Sequence, residues 1–293
     1  MKDKIKFHIP GFYKFFDLNA VLYNFMQTHP ECFAKNIQIG SIHDSFPGTI
    51  WNGGRTVFGE CTEETIVKYV EHYEKIGIPI RFTFTNSLLG KEHLQDEYCN
   101  MILKLSDNGK NEIIVNSEIL EDYLRDKYPR FKYVLSTTSG IRDIDRINEL
   151  SERYDYVVIN YNDNKDKEFL TALKNKDKIE ILVNESCMPN CPKRKEHYTF
   201  IAKKQLGLES EYEKFACCSD KSNNFYDVMN DKRKIENHII TPAELYGEYA
   251  EMGFSNFKLQ GRGLPMIYTL ESYLTYLVKP EYRDWLRYEI LKG

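Results

Sequence analysis

The sequence lacks any apolar run close to the roughly 18 residues that a helix needs to cross a bilayer, so no helical membrane span is expected. Its opening, MKDKIKFHIPGF, carries no apolar signal region and no cleavage site, and the expectation is a cytoplasmic protein with no membrane partner. It also lacks an excess of one charge. Forty Lys and Arg face 44 Asp and Glu, a net charge of −4, which excludes an overall pull toward nucleic acid or anionic lipid. Several catalytic signatures are missing. HIPGFYKF holds one glycine where a dinucleotide-binding loop would need three. There is no H-E-x-x-H helix, and STTSG, with Ser136 and Ser139, is not a G-x-S-x-G elbow. There is no internal repeat and no low-complexity linker. Without a signal peptide, the seven cysteines argue against a disulfide framework.

What is present is a regular alternation. Eight β-branched or apolar runs recur along the chain. They are IKFHI (5–9), IQIGSI (37–42), IRFTFT (80–85), EIIVN (112–116), KYVLST (132–137), YVVINY (156–161), IEILVN (179–184) and NFKLQG (256–261). Such runs read as buried parallel strands. The segments between them read as helices. TEETIVKYVEHYEKIG has Thr62 as cap, Gly77 as stop, and Ile66, Val70 and Tyr73 on one face; TPAELYGEYAEMG has Thr241 as cap, Pro242 first and Gly253 last. Eight strand–helix units in 293 residues predict an α/β fold, a (β/α)8 TIM-like barrel spanning residues 1–293 as one domain. One connection is oversized. Residues 185–238, between the seventh and eighth strands, hold four of the seven cysteines, and long loops in compact domains usually carry function. The closing KPEYRDWLRYEILKG reads as an amphipathic helix that closes the barrel or meets a partner.

In this fold chemistry sits where strands meet the loops that follow them. The strand endings are polar: His8, Ser41, His43 and Asp44, Asn86, Ser136, Asn160, Asn184 and Glu185, Gln260 and Arg262. Strand ends meeting solvent and helix caps explain single members; a whole ring points to a polar pocket over the barrel. Within it His43 and Asp44 are acid–base candidates, Glu185 a third catalytic candidate, and Asn86 a substrate contact. Arg262 is a natural anchor for carboxylate or phosphate. GTIWNGGRT (48–56) reads as a flexible loop over the pocket, with Trp51 as a stacking platform and Arg55 as a second anion contact, or else as a hairpin without catalytic meaning.

Cys187 and Cys191, with Pro189 between them and Pro192 after, can place two sulfurs on one turn, and Cys217 and Cys218 return after an intervening helix. The adjacent pair fits zinc poorly, and a four-iron four-sulfur cluster tolerates such spacing better. Zinc, a redox dithiol and four buried thiols are the alternatives. A radical-type three-cysteine loop would need another cysteine near Arg194 and is excluded. Lys193, Arg194 and Lys195 would offset the charge of bound thiolates.

Two stretches, LVNESCMPNCPKRKEHY and ITPAELYGEYAEMGFSNFKLQGRG, resemble the bacterial collagenase-like peptidase family of unclassified mechanism. That family includes iron–sulfur proteins of oxygen-independent ubiquinone hydroxylation and of tRNA hydroxylation. Phe257, Lys258, Gly261 and Arg262 stand at its late FKI-GR-type strand, and Cys187, Cys191 and Cys217 or Cys218 at its cysteines. The resemblance implies an iron–sulfur barrel enzyme or enzyme subunit modifying a small molecule or a tRNA base, by hydroxylation, alone, as a homodimer or with a protein partner. A non-catalytic, metal-stabilised barrel that serves as a binding or assembly partner is the alternative, and a peptidase the third reading.

Overall fold

All eight apolar runs form strands in the computed structural model, which describes residues 4–210, 212–217 and 224–292. The strands are β1 (Ile5–Pro10), β2 (Ile37–Asp44), β3 (Ile80–Phe84), β4 (Glu112–Val115), β5 (Lys132–Leu135), β6 (Tyr156–Val158), β7 (Ile179–Leu182) and β8 (Asn256–Lys258). Each pairs in parallel with the next, and β8 closes onto β1 through Lys6–Asn256, Phe7–Phe257 and His8–Lys258. The result is the expected (β/α)8 barrel. Among the described residues no helix is long and apolar enough to cross a membrane.

Several strands end earlier than their apolar runs because the last polar residues leave the ladder to bond locally. Asn160 accepts the Asn162 N–H at 3.0 Å. Asn184 Oδ1 accepts the Gln260 N–H at 2.8 Å, while Gln260 Nε2 donates to the Asn184 carbonyl at 2.7 Å. That side-chain bridge prolongs the β7–β8 contact beyond the strands.

The helical signals work as their chemistry predicts. Thr62 caps the helix Glu63–Lys75, which buries Ile66, Val70 and Tyr73. Thr241 and Glu244 form a capping box, but the segment makes one α turn, Pro242–Glu244, before loosening into a π turn, Leu245–Tyr249. The long connection carries three helices among its described residues, Arg194–Gln205, Phe225–Met229 and Lys232–Asn237. The last helix, Arg283–Lys292, buries Leu286 and sets Trp285 edge-on against Phe25, so it closes the outer layer over the first helix, Phe16–Thr28.

Three apolar clusters result among the described residues. The largest lies between strands and helices and includes Phe7, Ile9, Phe82, Phe84, Ile181 and Phe257, and a small one joins Phe225, Val228 and Ile239 to Leu264 and Tyr268. The barrel interior is different. Branched aliphatics usually fill it, yet here only Ile114, Val134 and Val158 cluster there beside Tyr156. Across from them lie buried charges. Arg81, with no exposed surface, pairs with Glu112 and with Glu180 (2.5 Å), and His8 Nε2 lies 3.4 Å from Glu180.

Candidate functional site at the barrel mouth

A cavity of about 100 Å³ opens at the carboxyl ends of the strands, room for several waters or a small ligand. Leu182 and Ile114 give it an apolar floor. Its walls carry Thr83, Thr85 and Ser136–Thr138, and its charged lining is Arg55, Arg194, Lys258, Arg262 and Glu185. Four basic side chains against one carboxylate make this a cationic pocket.

Arg262 is fixed from three sides. Its Nη1 donates to Asn52 Oδ1 at 2.9 Å, its Nη2 donates to the Gly53 carbonyl at 2.8 Å, and Asp44 lies 3.8 Å away. These bonds leave the remaining N–H groups of the fork for a ligand. Burial, only partly offset by Asp44, lowers its pKa to about 10, so it still carries its charge at neutral pH. The preceding Gly261 has no alternative: a Cβ there would stand 2.7 Å from both Pro10 and Thr269. Asp44 also accepts the Lys14 N–H at 3.1 Å. Burial raises its pKa, and Arg262 with the backbone donors pulls it back. Asp44 therefore positions Arg262 and does not line the cavity.

The stretch 48–56 is not a loose lid. Gln205, from the helix Arg194–Gln205, clamps it by donating to the Thr49 and Val57 carbonyls at 2.9 and 3.0 Å and accepting the Val57 N–H at 3.0 Å. Trp51 is fully buried, donates Nε1–H to the His93 carbonyl at 2.8 Å and packs edge-on against Phe84. It anchors the loop and offers no stacking face to the cavity. Asn86 is equally buried, donating to Ile50 and Ala202 carbonyls and accepting the Leu88 N–H, and it too holds the loop instead of meeting a substrate. Gly53 touches the Thr85 backbone so closely that a Cβ would collide with its carbonyl at 2.5 Å. Arg55, by contrast, lines the cavity.

His43 lines the cavity and is neutral. Burial first, then Lys258 and Arg262, hold its pKa well below the usual imidazole range. Its Nε2 donates to the Leu259 carbonyl at 3.0 Å, which fixes the tautomer and leaves Nδ1 as a buried acceptor with no hydrogen-bond partner among the described residues. Lys258 was the strongest signal passed over. Alternation along KLQGR puts Lys258, Gln260 and Arg262 on one side, and all three line the cavity. Burial, with Arg81 and Arg262 adding to it and Glu180 opposing, lowers the Lys258 pKa to about 8.

Glu185 closes the other wall. It accepts the Cys187 N–H and an Arg194 N–H, both at 3.0 Å. Burial would raise its pKa, but Arg194, the Cys187 amide and Arg55 hold it at about 2, so it stays ionised and is a weak base. Arg194, also unforeseen as a cavity residue, lies 4.3 Å over the Tyr161 ring and 5.1 Å over Tyr198. Cys187 is buried beside this group, whereas Cys191 and Cys217 are partly exposed. Cys218 lies outside the described residues. Among the described residues no three His, Cys, Asp or Glu side chains converge as a metal ion requires, so the described thiols do not by themselves make a ligand set.

A second constellation has the order of a hydrolytic triad: Ser41 Oγ at 2.8 Å from His8 Nδ1, with Glu180 3.4 Å from His8 Nε2. Ser41 and His8 have no exposed surface and do not line the cavity, and burial lowers the His8 pKa to about 3. They form a barrel-interior network without substrate access.

Fold and site together define an α/β barrel with a cationic pocket at its carboxyl face. No protein-family model matches the chain, and no curated protein does. Among solved structures it is similar to the U32 peptidase Mk0906, at 15% identity and a TM-score of 0.52, over 90% of this chain and 95% of that one. A GH113 β-1,4-mannanase aligns over 99% of both chains at 10% identity and a TM-score of 0.40. The first likeness is one of fold, a barrel such as the collagenase-like peptidase resemblance implies.

Proposed function

We propose that the protein is a barrel enzyme that binds a small anionic molecule at the carboxyl face and modifies it there. The observation that carries this is the cationic lining, in which Arg262, Arg55, Arg194 and Lys258 surround a cavity with one carboxylate already committed to Arg194. Arg262 is the primary anion contact, held by Asn52, Gly53 and Asp44. Calorimetric titration with inorganic phosphate and with pyruvate tests the reading. Arg262→Ala is expected to weaken binding by roughly tenfold to a hundredfold, corresponding to the 1.5–3 kcal/mol typical of a charged hydrogen bond. Unchanged affinity for both anions would remove Arg262 from the site.

A second reading makes the long connection a metal site, a four-iron four-sulfur cluster or zinc held by Cys187, Cys191, Cys217 and Cys218, in an enzyme that hydroxylates a small molecule or tRNA base. One observation favours it. Lys193 Nζ donates to the Ala216 carbonyl at 3.3 Å and His197 stacks on Phe215 at 4.8 Å, which brings the Cys217 segment back to the start of the helix that follows Cys191. The set is incomplete without Cys218. Protein purified anaerobically is expected to hold iron or zinc, and Cys187→Ser and Cys191→Ser each to lose most of it. Full metal content in both variants would sink the ligand assignment, and a metal-free wild type would sink the reading.

A further inference from the structure

We propose that Lys258 forms an imine with a small oxo acid, a carbonyl compound whose carboxylate rests on Arg262. The proposal deepens the anion-site reading and rests on it.

Lys258 sits at the end of β8, on the rigid frame of the barrel, and lines the cavity. Its ion pair with Glu180 is a loose one. Glu180 is already paired with Arg81 at 2.5 Å, while Lys258 Nζ stays 3.6 Å from Glu180, beyond hydrogen-bond length. The surroundings favour the free amine. Ile114 and Leu182 give the cavity an apolar floor, and Arg81 and Arg262 press on the ammonium from two directions. Desolvation beside other cations is the environment that turns a lysine into a nucleophile toward carbonyls. Arg262, which lines the same cavity, offers the anion contact that would orient an oxo acid.

The step balances without any co-reactant. The neutral amine attacks the carbonyl carbon, and a C–N bond forms as the C–O π bond becomes a hydroxyl. The two N–H protons pass to that oxygen in turn through solvent water. The hydroxyl leaves as water, so both amine protons end on the departing oxygen and no electrons are gained or lost. Thr85 provides a hydroxyl for the polar intermediate.

The experiment is reductive trapping. Wild-type protein is incubated separately with pyruvate and with 4-oxopentanoate, which differ in the spacing of carbonyl and carboxylate. Sodium cyanoborohydride is added and lysine adducts are mapped by peptide mass spectrometry. The expected result is an adduct on Lys258 from at least one probe, at least tenfold above exposed lysines such as Lys4, and suppressed about tenfold by excess inorganic phosphate. Lys258→Met and Lys258→Arg should abolish it. The phosphate competition uses wild-type protein alone, so the test holds even if neither variant folds. Equal labelling of surface lysines, or an unlabelled Lys258 in protein that still binds phosphate through Arg262, overturns the imine and leaves the anion site standing. Absence of both labelling and anion binding overturns the two together.

Discussion

Arg81→Ala is expected to cost about 3–5 kcal/mol of folding stability, the range for removing one partner of a buried ion pair. Arg81 is wholly enclosed in the barrel between Glu112 and Glu180. Truncation leaves two carboxylates facing each other in a medium that penalises charge. His8 and Lys258 stand near Glu180, at 3.4 and 3.6 Å, but neither reaches Glu112 in an ion pair. Arg81→Met, which keeps much of the volume, should be nearly as damaging, because the lost element is charge. The triple change Arg81→Met, Glu112→Leu, Glu180→Leu should recover much of the loss, since replacing a whole buried ionic group by apolar residues is often neutral or stabilising. Urea denaturation decides. A midpoint for Arg81→Ala within experimental error of wild type would show that the network is solvated.

Acid should destabilise the protein from an unusually high pH. His8, His43 and His238 are buried, and burial first of all depresses each imidazole pKa, that of His8 to about 3. A depressed pKa means that the unfolded chain takes up the proton while the folded chain refuses it. The stability these groups confer is therefore complete above about pH 6.5 and is lost as pH falls. Each contributes a slope of about 1.4 kcal/mol per pH unit while it is protonated only in the unfolded state. Below about pH 4.5, Glu180 and Glu185 join in the same direction, because ion pairing outweighs burial and holds both near 2. Asp44 and Glu112, raised by burial, oppose the trend without matching it in number. On the alkaline side Lys258, at about 8, contributes a rise between pH 8 and 10, which the raised thiols of Cys32, Cys61 and Cys99 oppose from about pH 9. Denaturation curves at pH 7.5, 6 and 5 test this, and a flat midpoint across them would mean that the buried histidines charge in place.

Much of the frame was legible in the sequence, for a local reason. Strand and helix formation depends on runs, periods and caps that neighbouring residues supply. IRFTF, EIIV and IEIL, Thr62 with Gly77, and Thr241 with Pro242 marked elements of the barrel directly, and eight repeats of strand and helix left one closed arrangement. The same logic placed His43, Glu185 and Arg262 at the carboxyl face, because the end of a strand in this fold is a position in space, and the loop 48–56 that follows β2 brought Arg55 there. It failed at Trp51 and Asn86. A residue one or two places along a loop can point into the pocket or into the wall, and contacts from His93, Ala202 and Gln205, remote in sequence, decided which.

The charges inside the barrel mark the same boundary. Arg81, Glu112, Glu180 and Lys258 alternate with apolar neighbours in plain view. Their pairing, however, joins β3, β4, β7 and β8 across up to 99 residues of sequence between Arg81 and Glu180. A strand read alone gives the side to which a residue points. Which partner meets it there, and hence whether a lysine is an ordinary surface cation or a buried amine near its titration point, depends on desolvation and on charges brought from elsewhere. The sequence by itself determined the barrel and the face on which the cavity opens. Only the tertiary structure decided that Lys258 and Arg262 share one cationic cavity with a neutral His43, because local pattern governs secondary structure, whereas burial and Coulomb interaction exist only once the strands have closed.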